Sequence, residues 1–163
     1  MPKQSAGILL YRRGKQSWEF LLAHPGGPFW AHKDQHVWSI PKGEFLPEEN
    51  ALEAAQREFF EETGCPVAGP FIPLTPLKQP SGKVIHAWAA AGACDPDGIK
   101  SNTCWVEWPP RSGQRIEIPE IDRAGWFHPD AAREMIVSGQ AGFVSELLAV
   151  LSSKASFERK EAA

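Results

Sequence analysis

Three carboxylates within five residues, Glu58, Glu61 and Glu62, form the densest cluster of reactive side chains in this 163-residue chain. They lie in Arg57-Glu58-Phe59-Phe60-Glu61-Glu62. At 100° per residue, a helix places the three within an arc of roughly 100°. Like charges that close repel unless something positive sits among them. Oxygen-only ligands favour a hard divalent cation, Mg²⁺ or Mn²⁺. Mg²⁺ held by carboxylates takes the rest of its shell from water and substrate phosphates. The helix therefore points to metal-assisted chemistry on a phosphate. For an Arg-Glu-x-x-Glu-Glu run taken alone, a merely solvated charged face is the competing reading.

The flanking residues change that balance. Gly43, Glu49, Arg57, Glu58, Phe59, Glu61, Glu62 and Gly64 satisfy Gly-x5-Glu-x7-Arg-Glu-apolar-x-Glu-Glu-x-Gly. With each Gly, Glu or Arg near ~6% usage, a chance match in a chain of this length is on the order of 10⁻⁶. The segment resembles the Nudix box of the Nudix hydrolases. One position departs: Cys65 stands where a bulky aliphatic residue is usual, which reads as a packing variation because Cys behaves as a small buried hydrophobe. The resemblance spans roughly residues 4 to 150. It implies an α/β Nudix fold, an α/β/α sandwich with a mixed β-sheet. It also implies hydrolysis of a nucleoside diphosphate linked to another moiety. The physical need is plain, since a pyrophosphate repels incoming hydroxide, and divalent metals neutralise that charge and make nearby water more acidic.

Roles follow position by position. Glu58, Glu61 and Glu62 are the expected metal ligands, and Gly43 adds a backbone carbonyl because glycine lets the backbone approach closely. The resemblance gives Arg57 and Glu49 a bracing role between loop and helix, and Arg57 stands with Glu61 and Glu120 in the expected catalytic set. Glu120, six residues before Trp126, matches the family's acidic residue ahead of the last strand's Trp. It is a candidate general base or water-mediated ligand, with Glu117 and Asp122 as rivals. Lys42 sits beside the box, and its Pro41-Lys42-Gly43 setting resembles dinucleoside-polyphosphate hydrolases. Its ammonium can meet a distal phosphate as a point charge. Arg111 and Arg115 flank a Pro-Pro turn and are weaker candidates of the same kind. Trp105, Trp108 or Trp30 can stack on a base, although most of the seven Trp belong in core or half-buried positions. The five His show no zinc spacing.

These residues need a scaffold. Ala6–Tyr11 and Trp18–Ala23 read as strands around a polar turn. His24–Val37, rich in Pro and Gly, reads as a long loop of the kind that often carries function. Trp38–Pro41 is extended and delivers the chain to Gly43. The helix starts at Asn50, a cap paired with Glu53, and stops at Gly64 before Pro66. Leu52, Ala55 and Phe59 form its apolar face, with Glu58 and Glu61 turned away and Glu62 at the border. Further strands are expected near Phe71–Lys78, Lys83–Ala91, Thr103–Trp108 and Ile121–Phe127, and helices over Asp130–Val137 and Ala141–Leu151.

The whole chain reads as one domain over residues 1–163, with a core over about 4–151 and a fraying charged tail over 152–163. Net charge is −3, so no global basic field suggests a nucleic-acid partner. There is no membrane-span pattern and no signal-peptide pattern. Cys65, Cys94 and Cys104 are few and odd in number, and read as unpaired thiols in a reducing cytoplasm. The expected partner is a small nucleotide. A dinucleoside polyphosphate or nucleoside triphosphate leads, and ADP-ribose or an NDP-sugar follows. Pro80, 15 residues past Cys65, falls near an offset associated with ADP-ribose hydrolases. The run Glu107-Trp108-Pro109-Pro110-Arg111-Ser112-Gly113 resembles a Nudix subgroup of predicted NTP pyrophosphohydrolases. A noncatalytic nucleotide-binding Nudix module is the alternative from another class, though none of the three box carboxylates is lost. Capped RNA is disfavoured because no basic track is evident.

Overall fold

The computed structural model describes residues 3–162, and their side chains through Lys154. The first strand, β1 (Gln4–Arg13), reads as a continuous apolar run because both of its faces are covered. Ile8 and Leu10 point into one core with Ala54, Ala55 and Phe59. Leu9 points into the other, with Phe143, Val144 and Leu147. This period-2 split places a helix layer on each side of the sheet.

The central sheet has seven strands. Its main path runs β4 (Ile72–Pro73), β6 (Val84–Ala91), β1, β2 (Trp18–Pro25) and β9 (Ile121–Phe127). A short β3 (Lys42–Glu44) pairs with β1, and β5 (Leu77–Lys78) pairs with β6. β1 and β6 are parallel and the other pairs antiparallel, which makes the sheet mixed, as expected. Helix α1 (Ala51–Thr63) covers one face, while α2 (Pro129–Met135) and α3 (Ala141–Ala162) cover the other. The helical backbone of α3 thus continues past Leu151, into the segment expected to fray. Among the described residues no helix is long and apolar enough to cross a membrane.

A separate two-stranded sheet is formed by β7 (Thr103–Glu107) and β8 (Arg115–Pro119). β8 was not expected. Arg115-Ile116-Glu117-Ile118-Pro119 does alternate, with both Ile half-buried. Only Glu120 separates it from β9, so the sequence reads as one strand preceded by a turn.

The segment leading to the box is pinned from both sides. The Ala23 and Ser39 backbones exchange hydrogen bonds at 2.8 and 2.9 Å. The buried Gln140 accepts from the Ile40 amide at 3.0 Å and donates to Ser39 Oγ at 3.0 Å. From there β3 lies against the start of β1, with Gly43 opposite Ala6 and Lys42 opposite Gly7.

Cys65 and Cys94 form a disulfide with Cα atoms 5.9 Å apart, inside the usual range. This corrects the reading of three unpaired thiols, since Cys104 alone is free. The step from cysteine usage to a reducing cytoplasm loses its premise accordingly. The bridge joins the end of α1 to the chain leaving β6.

Candidate active site

Helix α1 begins and ends where its caps dictate. Asn50 Oδ1 accepts from the Glu53 amide at 3.0 Å. Gly64, with φ 75°, closes the last turn by donating to the Phe60 carbonyl at 2.7 Å. Between these caps the helix presents its carboxylates to the Gly43 turn.

The burial of those carboxylates differs from expectation. A helical wheel turns Glu58 outward, yet Glu58 is 8% exposed and Glu62 6%. The reason is Gly43, whose backbone packs directly on the Glu58 carboxylate. A Cβ at residue 43 would coincide with that carboxylate, so only glycine permits the approach. Glu62 Oε2 accepts from the Lys42 amide at 3.2 Å. Glu61 is half-buried at the mouth.

Desolvation dominates the electrostatics. Burial pushes Glu62 up to about 8, against the opposing pull of the Lys42 charge and amide, and the Glu120 and Glu58 charges add to the rise. Glu58 is raised by burial and then by Glu61, with Arg57 opposing. Glu120 is raised by burial and by Glu61, with Lys42 opposing. Lys42 is itself lowered, first by burial and then by the Lys83 charge. Three carboxylates pushed toward the protonated form by burial and neighbouring negative charge, Glu58, Glu62 and Glu120, form a site short of positive charge.

Arg57 supplies part of that charge. Its Nη1 donates to Glu58 Oε1 at 3.0 Å and to Glu61 Oε1 at 3.4 Å, and its Nη2 to Glu49 Oε2 at 3.1 Å. Glu49 Oε1 in turn accepts from the Leu46 amide at 3.1 Å. The loop before α1 is thus tied to the helix through one guanidinium. Among the described residues, no three acidic, His or Cys side chains are already gathered as a metal cage, and Arg57 bridges Glu58 and Glu61. The donor chemistry nonetheless suits a hard cation: oxygen atoms only, high local negative charge, and a glycine that leaves the backbone open.

Glu120 occupies the residue between β8 and β9, its backbone held by Gly26 N–H to Glu120 O at 2.9 Å and Glu120 N–H to Asn102 O at 2.9 Å. Its rivals are placed elsewhere. Glu117 is on the exposed outer face of β8, opposite Trp105. Asp122 Oδ1 lies 2.8 Å from Nδ1 of the fully buried His24, whose Nε2 lies 2.6 Å from the Lys33 carbonyl. Each ring nitrogen thus faces an oxygen, and the imidazole is held from both sides. Sequence reasoning missed this clamp, because nothing in the spacing of His24, Lys33 and Asp122 announces it.

The aromatic candidates separate. Trp105 is 58% exposed and shares the outer face of the hairpin with Glu117. Trp108 turns to the inner face and lines a cavity with Phe29 and Trp30. Arg111, at the hairpin tip with φ 61°, stands about 15–20 Å along the strands from Glu120, at ~3.3 Å per residue. Arg115 is exposed at the same end. Neither is gathered with the carboxylates. Larger cavities of about 500 and 580 Å³ lie around Arg12 and Arg13, at the far end of β1. There Arg12 is engaged by Glu19 at 2.8 Å and stacks on Trp126.

Comparison with known proteins identifies the fold. An Ap4A hydrolase from C. elegans, solved as a binary complex, superposes with a TM-score of 0.65 at 19% identity, over 91% of this chain and 98% of that one. The NUDIX domain of Shewanella oneidensis NrtR, solved with ADP ribose, gives 0.64 at 13% identity, over 93% and 89%. A mutT/nudix family protein from Listeria innocua gives 0.62 at 17% identity, over 96% and 99%. At these identities the likeness is one of fold. The family model for the NUDIX domain matches residues 1–147, and with it the chain belongs to the NUDIX family, as a hydrolase acting on pyrophosphate bonds.

Proposed function

We propose that the protein is a Mg²⁺- or Mn²⁺-dependent pyrophosphohydrolase acting on a dinucleoside polyphosphate or a nucleoside triphosphate. The observation that carries this reading is the convergence of Glu58, Glu61, Glu62 and Glu120 near the Gly43 turn, with Lys42 alongside.

Glu58, Glu61, Glu62 and the Gly43 carbonyl would hold the cation. When bound, it supplies Lewis acidity, drawing charge from the phosphates and making water easier to deprotonate. Glu120 acts as general base. Its raised proton affinity brings it closer to the working pH, where a base is most effective. Water oxygen attacks one phosphorus, its proton passes to Glu120, the anhydride P–O bond breaks, and the leaving phosphate departs with the bonding pair. Lys42 binds the phosphate beyond the reacting one. Arg57 orients Glu58 and Glu61 and fixes the loop through Glu49.

The second reading is cleavage of ADP-ribose or an NDP-sugar. It is favoured by the ADP ribose held by the NrtR neighbour. Pro80 adds little to it. That residue sits in the tight turn between β5 and β6, where Gly82 donates to the Gln79 carbonyl at 2.8 Å, and turn geometry alone accounts for a proline there.

The test is turnover of diadenosine tetraphosphate, ATP, ADP-ribose and UDP-glucose by the purified protein with Mg²⁺ and with Mn²⁺. The proposal expects the first two to lead. A lead for ADP-ribose would install the second reading. No turnover of any of the four would leave a noncatalytic nucleotide-binding module.

A further inference from the structure

The β7–β8 hairpin and the loop after β2 enclose a cavity of about 200 Å³, walled by Phe29, Trp30, Val106, Trp108 and Ile118 and floored by Gly26. We propose that this cavity receives the planar base of the nucleotide whose phosphates the carboxylates handle; the proposal rests on that reading of the carboxylates.

Three observations carry it. The first is composition. Two indoles and a phenyl ring stand around the opening, Phe29 and Trp30 being edge-to-face at 4.7 Å between centroids. Rings of this kind bind bases by stacking, whichever base is present. Size comes second. Sites that engulf a drug-sized ligand run about 300–1,000 Å³, so 200 Å³ accommodates a single ring system and leaves sugar and phosphates outside.

The third is continuity with the reacting end. Gly26 floors the cavity, and its amide donates to the Glu120 carbonyl at 2.9 Å. A Cβ at residue 26 would coincide with the Pro119 carbonyl. Along the inner face of the hairpin, Cys104 pairs with Ile118, and the Cys104 thiol is raised by burial and then by the Glu120 charge. Ile118 is therefore two residues, about 7 Å, from Glu120, roughly the span of one sugar. Trp108, whose amide donates to the Gln114 carbonyl, stands at the far edge of the cavity, about 20 Å along the strand from Glu120 at ~3.3 Å per residue, so a base seated at the Ile118 edge is the one that directs its phosphates toward the carboxylates.

The wall is also pre-formed. Gly26 fixes one end of the loop. His24, through its contact with the Lys33 carbonyl at 2.6 Å, fixes the other. Lys33 Nζ lies 3.8 Å from the centroid of Phe29. Binding then requires little loop ordering, which preserves affinity. Trp105, on the opposite face of the same strand, has no part in the cavity.

Calorimetric titration with α,β-methylene-ADP and with methylenediphosphonate tests the proposal, because neither ligand can be hydrolysed at its bridge. The wild type should bind the nucleotide more tightly than the base-free ligand. Trp30→Ala and Trp108→Ala should each weaken methylene-ADP by about 5- to 150-fold, the worth of one base–aromatic stack. The loss for methylenediphosphonate should be at least several-fold smaller, and Trp30→Phe should recover most of the affinity. Should Trp108→Ala fail to fold, Trp30→Ala and Trp30→Phe decide alone, since Trp30 stands in a loop outside the cores. Equal affinity of the wild type for both ligands overturns the proposal, as do equal losses for both in the variants. The hydrolase reading fails separately, by absent turnover; a base-dependent affinity in a protein that hydrolyses nothing would sustain the cavity and sink the catalysis.

Discussion

Replacing Glu62 by Gln should flatten the pH dependence of the metal-free protein's stability. Glu62 is 6% exposed, and burial raises it from 4.5 to about 8 in the folded chain. Its folded-state pKa lies above the unfolded value, so between those two values the folded state binds more protons. The contribution of Glu62 is therefore fully present below about 4.5, falls as pH rises, and is lost above about 8. At 1.36 kcal/mol per pKa unit, the swing is about 3–5 kcal/mol. For a domain of this size that corresponds to a melting-point difference of about 10 °C. Gln imitates the neutral acid in shape and does not titrate. The assay is calorimetric melting of wild type and Glu62→Gln in EDTA from pH 5 to 8.5. The wild type should lose ground to the variant steadily across that window. Glu58 and Glu120 remain in the variant, so the difference between the two curves reports Glu62 together with its coupling to those two charges. Adding Mg²⁺ at pH 8 should then raise the wild type far more than the variant. Parallel curves in EDTA would show that Glu62 is not a buried, proton-holding acid, and the electrostatic account of the site would go with it.

Other outcomes follow from the same geometry. Lys42→Ala should lower kcat/KM about 10- to 150-fold on a dinucleoside tetraphosphate, the worth of one charged hydrogen bond, and less on ADP-ribose; equal losses on both would remove Lys42 from the distal phosphate. Glu120→Gln should lower kcat by about 10² or more, whereas Glu117→Gln, altering an outward-facing side chain, should stay within roughly twofold; comparable losses would unseat Glu120 as the base. Denatured, unreduced protein should titrate one free thiol, that of Cys104, and Cys65→Ala should destabilise by about 3 kcal/mol for a closed loop with a separation of 29 residues; three titratable thiols would refute the bridge.

What was legible in the sequence was local. Asn50, Gly64 and Pro66 bound α1 through capping chemistry that acts within a few residues, and helix and caps stand where those residues put them. The apolar run of β1 and the amphipathic face of α3 were readable for the same reason, whereas the division of β1 between two cores was not. What was not legible depends on partners distant in sequence. Glu58 is buried by Gly43, 15 residues upstream, and a helical wheel contains no such neighbour. Cys65 and Cys94 carry no spacing signal at 29 residues apart; the sheet brings them together. β8 was hidden by Pro109-Pro110 before it and by the single residue linking it to β9.

That single residue explains how the site is assembled. Three carboxylates arrive on one helix, but the fourth, Glu120, comes from the junction of two sheets, and its position is set by backbone contacts to Gly26 and Asn102. Asn102 in turn donates from its own amide to the Glu61 carbonyl at 2.8 Å, and Lys100 to the Thr63 carbonyl at 3.0 Å. The strand that carries the inner wall of the aromatic cavity is thereby registered on the last turn of the carboxylate-bearing helix α1. The aromatic cavity and the carboxylate cluster are thus joined by one chain of backbone hydrogen bonds, α1 to Asn102 to Glu120 to Gly26. Backbone bonds of this kind are insensitive to side-chain identity. Substituting the aromatic residues around the cavity should therefore leave the carboxylates in place, so that the proposed base site can be altered without displacing the carboxylate cluster.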